Sequence, residues 1–126
     1  MKRDKIIYWL STTIIALGGL IAGIIYLTSP IIAERFKHLG FPDYFRIELA
    51  TAKIIAAFVI ILPIVPNRIK EWCYAGFAIV FFSAVIAHLV VDGTLEAISP
   101  LIQLLLLVIS YVYFSKLKDY KSGVSN

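Results

Sequence analysis

The sequence predicts an all-α protein, a four-helix transmembrane bundle with a short amphipathic helix between helices one and two. Three observations carry this expectation. The 126 residues are 60% hydrophobic and only 16% charged, with mean hydropathy +0.89, a composition suited to lipid rather than water. Four apolar stretches approach the roughly 20 residues that a helix needs to cross about 30 Å of hydrocarbon. Runs such as LIQLLLLVIS at 101–110 have neither the polar–apolar alternation of a barrel strand nor the charged stripe of a soluble amphipathic helix.

Helix one is expected over 6–27, IIYWLSTTIIALGGLIAGIIYL, which contains no charge. The preceding MKRDK gives this region the look of a secretion signal, but a signal's apolar core is about 7–15 residues long and ends at a small-residue cleavage site. Here the run continues into IIAERF, so it reads as a retained first helix. Ser29 and Pro30 have the pattern of an N-cap followed by proline at the first helical position. The segment after them sets Ile31, Ile32 and Phe36 against Glu34, Arg35 and His38, and Leu39 and Gly40 close it. This short helix is either a lid lying on the outer surface or a surface linker.

Helix two is expected over 45–65 and is stopped by Pro63 and Pro66. Asn67 can cap the next helix, with Glu71 in its favourably oriented first turn. Helix three follows over 72–91 and ends at Asp92 and Gly93. Ser99 and Pro100 can start helix four, expected over 98–115, while TLEAI before them is either a half-turn or part of that helix. The loops are too short to hold a second domain, so 1–126 reads as one.

Orientation follows from the basic residues. Lys2, Arg3, Lys5, Arg68, Lys70, Lys116, Lys118 and Lys121 fall at the two ends and in the middle loop, against Arg35, Lys37 and Arg46 in the other two connections. The positive-inside rule then places both termini in the cytoplasm and the chain as a multi-pass protein of the cytoplasmic, or inner, membrane. Trp9, Trp72, Tyr74, Tyr111 and Tyr113 fall near the inner interface, and Tyr26 and Tyr44 near the outer one. The net charge of +4 is thereby topology, and no nucleic-acid surface is expected. Cys73 is the single cysteine, so neither an internal disulfide nor a cysteine-paired metal site is expected.

Small residues mark faces where helices can approach closely. Gly19 and Gly23, and Gly18 and Ala22, are spaced by four in helix one, and Gly76, Val80, Ala84 and His88 form one line in helix three. His88 stands one turn inside the outer end, with Asp92 as its i,i+4 neighbour on the same face. Lys53 enters the same layer from helix two, Gln103 from helix four, and Tyr44 is positioned to close it. A lysine in hydrocarbon is expensive unless it faces the bundle, pairs or snorkels.

His88, Asp92 and Lys53 are therefore the candidates for any proton chemistry, and Lys53, His88, Gln103 and Tyr44 those for ligand binding. For each, a purely structural interhelical bond remains the alternative. A metal site is not expected, because only His38 offers a second imidazole. Lysine and histidine can bind the carbonyl oxygen of a quinone or another oxygenated lipid, and His88 can pass a proton to Asp92 and water. No CxxC, GxGxxG or haem-ligand pair is present, so no intrinsic cofactor is expected and electron transfer would need an outside one.

Three stretches, HLGFPDYFR at 38–46, AKIIAAFVIILPIVP at 52–66 and KEWCYAGFAIVFFSAVIAHLVVDG at 70–93, together with the last apolar helix, resemble the DoxX-like family of small four-helix membrane proteins. The resemblance covers nearly the whole chain. Its pattern falls on Leu39, Gly40, Pro42, Tyr44, Lys53, Pro63, Glu71, Trp72, Gly76 and His88, while Ala56, Ala57 and Cys73 depart from it slightly. It implies a bundle in the cytoplasmic membrane, with some relatives similar to subunits of thiosulfate:quinone oxidoreductase or to partners of thiol-handling enzymes. The expected function is that of an accessory membrane protein, binding a quinone or other small amphiphile in an outer-side polar pocket and supporting a membrane or thiol-redox protein partner. The alternatives are a structural subunit without ligand chemistry and a small-molecule transporter. Whether a reaction is catalysed, and whether the chain forms a homo-oligomer, stay open.

Overall fold

The computed structural model describes residues 2–122, with side chains to 119, so Lys121 of the charge argument has its side chain outside the described residues. The chain is all-helical: α1 Lys2–Thr28, α2 Pro30–His38, α3 Asp43–Ile61, α4 Asn67–Val91 and α5 Thr94–Ser122. Three of these, α1, α4 and α5, have the length and apolarity to cross a membrane. α3 differs because Arg46, Glu48 and Lys53 interrupt its 19 residues.

Each expected helix is present, and most have longer ends than the apolar runs alone suggest; the exception is the second, expected over 45–65, which starts at Asp43 but stops at Ile61, because Leu62 before Pro63 turns to the extended conformation. TLEAI proves to be the first turn of α5, which continues through Pro100. Asn67 lies inside α4 and Pro66 occupies the cap position, without a side-chain cap. Glu71 likewise serves a different purpose from complementing the dipole: it accepts a 2.9 Å hydrogen bond from Lys118 Nζ of α5. Ser29 takes the extended conformation of an N-cap before Pro30, but its hydroxyl makes no capping bond.

α1 packs most extensively on α3 and next on α5, α4 packs on α5, and α3 and α4 touch much less. The close α1–α3 approach depends on the small residues noted in the sequence. A Cβ on Gly23 would come within 2.9 Å of the Ala50 carbonyl oxygen, and one on Gly19 would lie 3.7 Å from Ala57 Cβ. Gly18 and Gly76, by contrast, face open space, so the second glycine line of α1 and the glycine of the α4 line do not mediate helix contacts.

On the other side of α1, three helices are joined by hydroxyl groups. Ser110 Oγ of α5 lies 2.6 Å from Thr12 Oγ1 of α1 and 2.7 Å from Tyr74 OH of α4. Thr12 and Ser110 are completely buried. In lipid, where apolar contact gives little net drive for association, such bonds contribute about 0.6–2 kcal/mol each. The core around them contains Tyr8, Ile15, Ile60, Phe77, Phe81, Leu107 and Phe114. The outer faces show the reverse of a soluble protein, with Ile14, Leu17, Ile79, Phe82, Leu105 and Val108 all more than half exposed.

The tight seam at Gly23 predicts that Gly23→Leu lowers the melting temperature in detergent by an amount equivalent to about 1–3 kcal/mol. Gly18→Leu should leave it unchanged within error. Equal effects at the two positions would show that the seam does not determine packing.

Candidate functional site

The weak α3–α4 contact leaves a cavity of about 710 Å³ at the end of the bundle opposite the first turn of α1 and the last turns of α5. Its walls come from all five helices, with Lys53 of α3, His88 of α4 and Gln103 of α5 among the lining residues. The α4 line expected to approach a neighbour instead opens space. Val80, Ala84 and His88, flanked by Ser83 and Ala87, line the cavity, and the small side chains of Ser83, Ala84 and Ala87 leave room rather than fill it.

Lys53 is the unusual member. Only 7% of it is exposed, yet among the described residues its ammonium has neither a carboxylate nor a hydrogen-bond acceptor as partner. Its charge is met by two aromatic rings, with Nζ 5.3 Å from the centroids of both Tyr26 and Phe81. Such contacts contribute about 0.5–2 kcal/mol each, but a ring face supplies no lone pair for three N–H donors. Among the described residues no buried side-chain nitrogen or oxygen is left unsatisfied. The Lys53 ammonium, which bonds to nothing, therefore reaches the free space of the cavity.

α2 covers the site. Phe36 is the buried anchor of that helix, with its ring 5.1 Å from Tyr26 and 6.0 Å from Phe41, which in turn stacks on Phe45 at 4.9 Å. Ile31, grouped with Phe36 by the sequence pattern, is instead 68% exposed. Arg46 ties the start of α3 to the end of α1, donating to the Tyr26 carbonyl and, at 2.9 Å, to Asp43 Oδ1.

Asp92 connects the lid to the bundle. Gly93, with φ +110, takes the left-handed conformation that ends a helix, and its N–H donates to the His88 carbonyl at 2.7 Å. This turn sets the Asp92 carboxylate between two imidazoles. His38 Nε2 of α2 lies 2.7 Å from Oδ1, and His88 Nδ1 lies 3.1 Å from Oδ2. An ionised carboxylate only accepts, so both ring nitrogens donate to it. His88 Nε2 is then left as an acceptor with no protein partner among the described residues. The hydrogen bond from His38 is the largest influence holding Asp92 below the usual carboxylate range; partial desolvation opposes it, and His88 adds to it.

Of the sequence candidates, Lys53, His88 and Gln103 meet at one cavity, and Asp92 stands behind His88. Gln103 makes only a long 3.4 Å contact to Ser99 Oγ. Tyr44 does not join them: it is 71% exposed and outside the cavity wall, because it precedes Phe45 by one position and so points away from the face that Phe45, Leu49 and Lys53 share. The aromatic role expected of it belongs to Phe41 and Phe45. Tyr26, Phe81 and His38 were not readable as site residues, since each depends on the register between helices distant in sequence. Among the described residues, no group of three His, Cys, Asp or Glu side chains is placed to hold a metal ion.

The family model for the DoxX-like family matches residues 10–110. The chain belongs to the DoxX-like family. No curated protein and no solved structure matches it. The match takes in every residue that lines the cavity, and with the apolar outer surfaces it makes this DoxX-like chain a multi-pass membrane protein.

The depressed Asp92 pKa gives a sign for the pH dependence of the clasp. Its stabilising contribution is fully present above the ordinary carboxylate value of 3.8 and is lost as pH falls through the lower folded value. Amide exchange over residues 30–38, corrected for the intrinsic rate, should therefore quicken as pH falls below about 4, where Asp92 is protonated, and Asp92→Asn should remove that acid-induced step. An unchanged profile in Asp92→Asn would show that the clasp does not hold α2.

Proposed function

We propose that this DoxX-like protein is an accessory membrane protein that holds a quinone, or a small amphiphile of similar shape, in the cavity under α2 and presents it to a redox partner in the membrane. The single observation that carries the reading is the Lys53 ammonium, buried, unpaired and open to a largely apolar cavity. An intramembrane cation of this kind is costly unless something completes its coordination. A carbonyl or phenolate oxygen at the head of an apolar body does so, and the apolar walls accommodate the rest.

His88 supplies the second group. Its free Nε2 can accept a proton from a hydroxyl in the cavity, and Nδ1 can pass one to Asp92, beyond which His38 is largely exposed. These residues hold the ligand and move protons; electrons must be carried by the ligand and its partner. The layer beneath the cavity is filled by Ile60, Phe77 and Leu107 and bolted by the Thr12–Ser110–Tyr74 hydroxyls, which favours holding a ligand over passing it across the bilayer.

In this reading α3 is the fourth span, with Asp43 and Arg46 paired at its first turn and Lys53 at the cavity, and both termini lie in the cytoplasm of a cell with this protein in its inner membrane. In a Cys73→Ser background, Arg3→Cys and Lys37→Cys should react with an impermeant thiol reagent from opposite sides. Labelling of both from one side would contradict it.

Lys53→Met keeps the length of the side chain and removes the unpaired charge. The variant should melt no lower than the native chain, yet lose about 10–100-fold in affinity for a short-chain quinone, as expected for hydrogen bonds to a charged donor. Thermal-shift titration reads both quantities. Undiminished quinone stabilisation in Lys53→Met would overturn the reading.

A further inference from the structure

A second cavity of about 330 Å³ lies at the opposite, basic end of the bundle. We propose that it binds the headgroup of an anionic phospholipid, through its phosphodiester. The inference is independent of the outer cavity and of any quinone chemistry.

Three lysines from three helices line this cleft: Lys5 of α1, Lys70 of α4 and Lys118 of α5. Among the described residues no carboxylate lines it, and the nearest one named, Glu71, stands behind Lys118. Lys70 is only 5% exposed and already engaged within the protein, so it adds positive potential at the back of the cleft, and contact with the headgroup falls to Lys5 and Lys118. Lys118 is held in place by Glu71 at 2.9 Å and lies over the Phe114 ring at 5.9 Å. Lys5 is exposed at the rim. The α4 N-terminus opens here without a side-chain cap, adding the positive end of a 25-residue helix.

Asp4, Glu71 and Asp119 offset part of this charge, but the same end carries Lys2, Arg3, Lys5, Arg68, Lys70, Lys116 and Lys118 among its described side chains. The excess is positive. A choline headgroup, which carries its own cation, is disfavoured against such a wall, whereas an anionic headgroup is attracted.

The apolar part of the cleft decides between a lipid and a free ion. Tyr8 and Phe114 form its floor, with ring centroids 6.4 Å apart, and Trp9, 40% exposed, stands at the rim as an indole does at headgroup depth. An inorganic phosphate has no use for that surface; the glycerol and first methylenes of a lipid cover it. Basic pockets between helices at a membrane's charged interface take headgroups in this way.

Native mass spectrometry of the full chain in detergent, titrated with phosphatidylglycerol or phosphatidylcholine, tests the proposal. The anionic lipid should be retained preferentially, and Lys5→Gln and Lys118→Gln should each weaken it about fivefold. Lys5→Gln leaves the Glu71 pairing intact and so separates binding from folding. Lys116→Gln removes the same charge outside the cleft and should leave retention unchanged. Equal retention of both lipids, an equal loss in Lys116→Gln, or displacement of the lipid by millimolar inorganic phosphate would overturn the proposal.

Discussion

The ammonium of Lys53 is a charge that the chain places inside an apolar bundle and does not neutralise. Two aromatic faces at 5.3 Å soften its cost, but its donors have no acceptor among the described residues. A lysine that only bridged helices would find a carboxylate. A lysine that only snorkelled would reach the bulk phase, not remain 7% exposed. The surrounding architecture is consistent with a third use, in which space is kept for a group that arrives from outside.

That space has a structural origin. The hydroxyl chain through Thr12, Ser110 and Tyr74 draws α1, α4 and α5 together, and Gly19 and Gly23 bring α3 against α1. With α3 and α4 each committed to another neighbour, little surface remains for them to share. The gap between them is the cavity, and the small side chains of α4 enlarge it. α2 lies across it, anchored at one point by Phe36 and at another by the His38–Asp92–His88 clasp. Packing that would have closed the bundle is thereby concentrated away from Lys53.

The helices were legible because apolar run length is a one-dimensional property: 6–27 and 72–91 predict α1 and most of α4 directly. Polar residues in apolar surroundings are equally visible, which is why run position alone gathers Lys53, His88 and Gln103 into one layer. What escaped reading depends on contacts between helices. Nothing near Lys53 in sequence announces Tyr26 or Phe81 as its neighbours, and His38 was visible as an imidazole but not as the second ligand of Asp92. Tyr44 illustrates the same limit at finer scale: one position along the helix, about 100° of rotation, separates it from Phe45 and from the cavity.

The central claim is that the acceptor for Lys53 is a bound molecule. The most direct measurement is an experimental structure of the protein extracted with its native lipids and never exposed to added ligand. The account predicts elongated non-protein density in the outer cavity, with a polar atom within hydrogen-bond distance of Lys53 Nζ. A structure in which Lys53 Nζ pairs with Glu96, a carboxylate that lines the same cavity, or with another carboxylate of the chain, and the gap between α3 and α4 is closed, would contradict it.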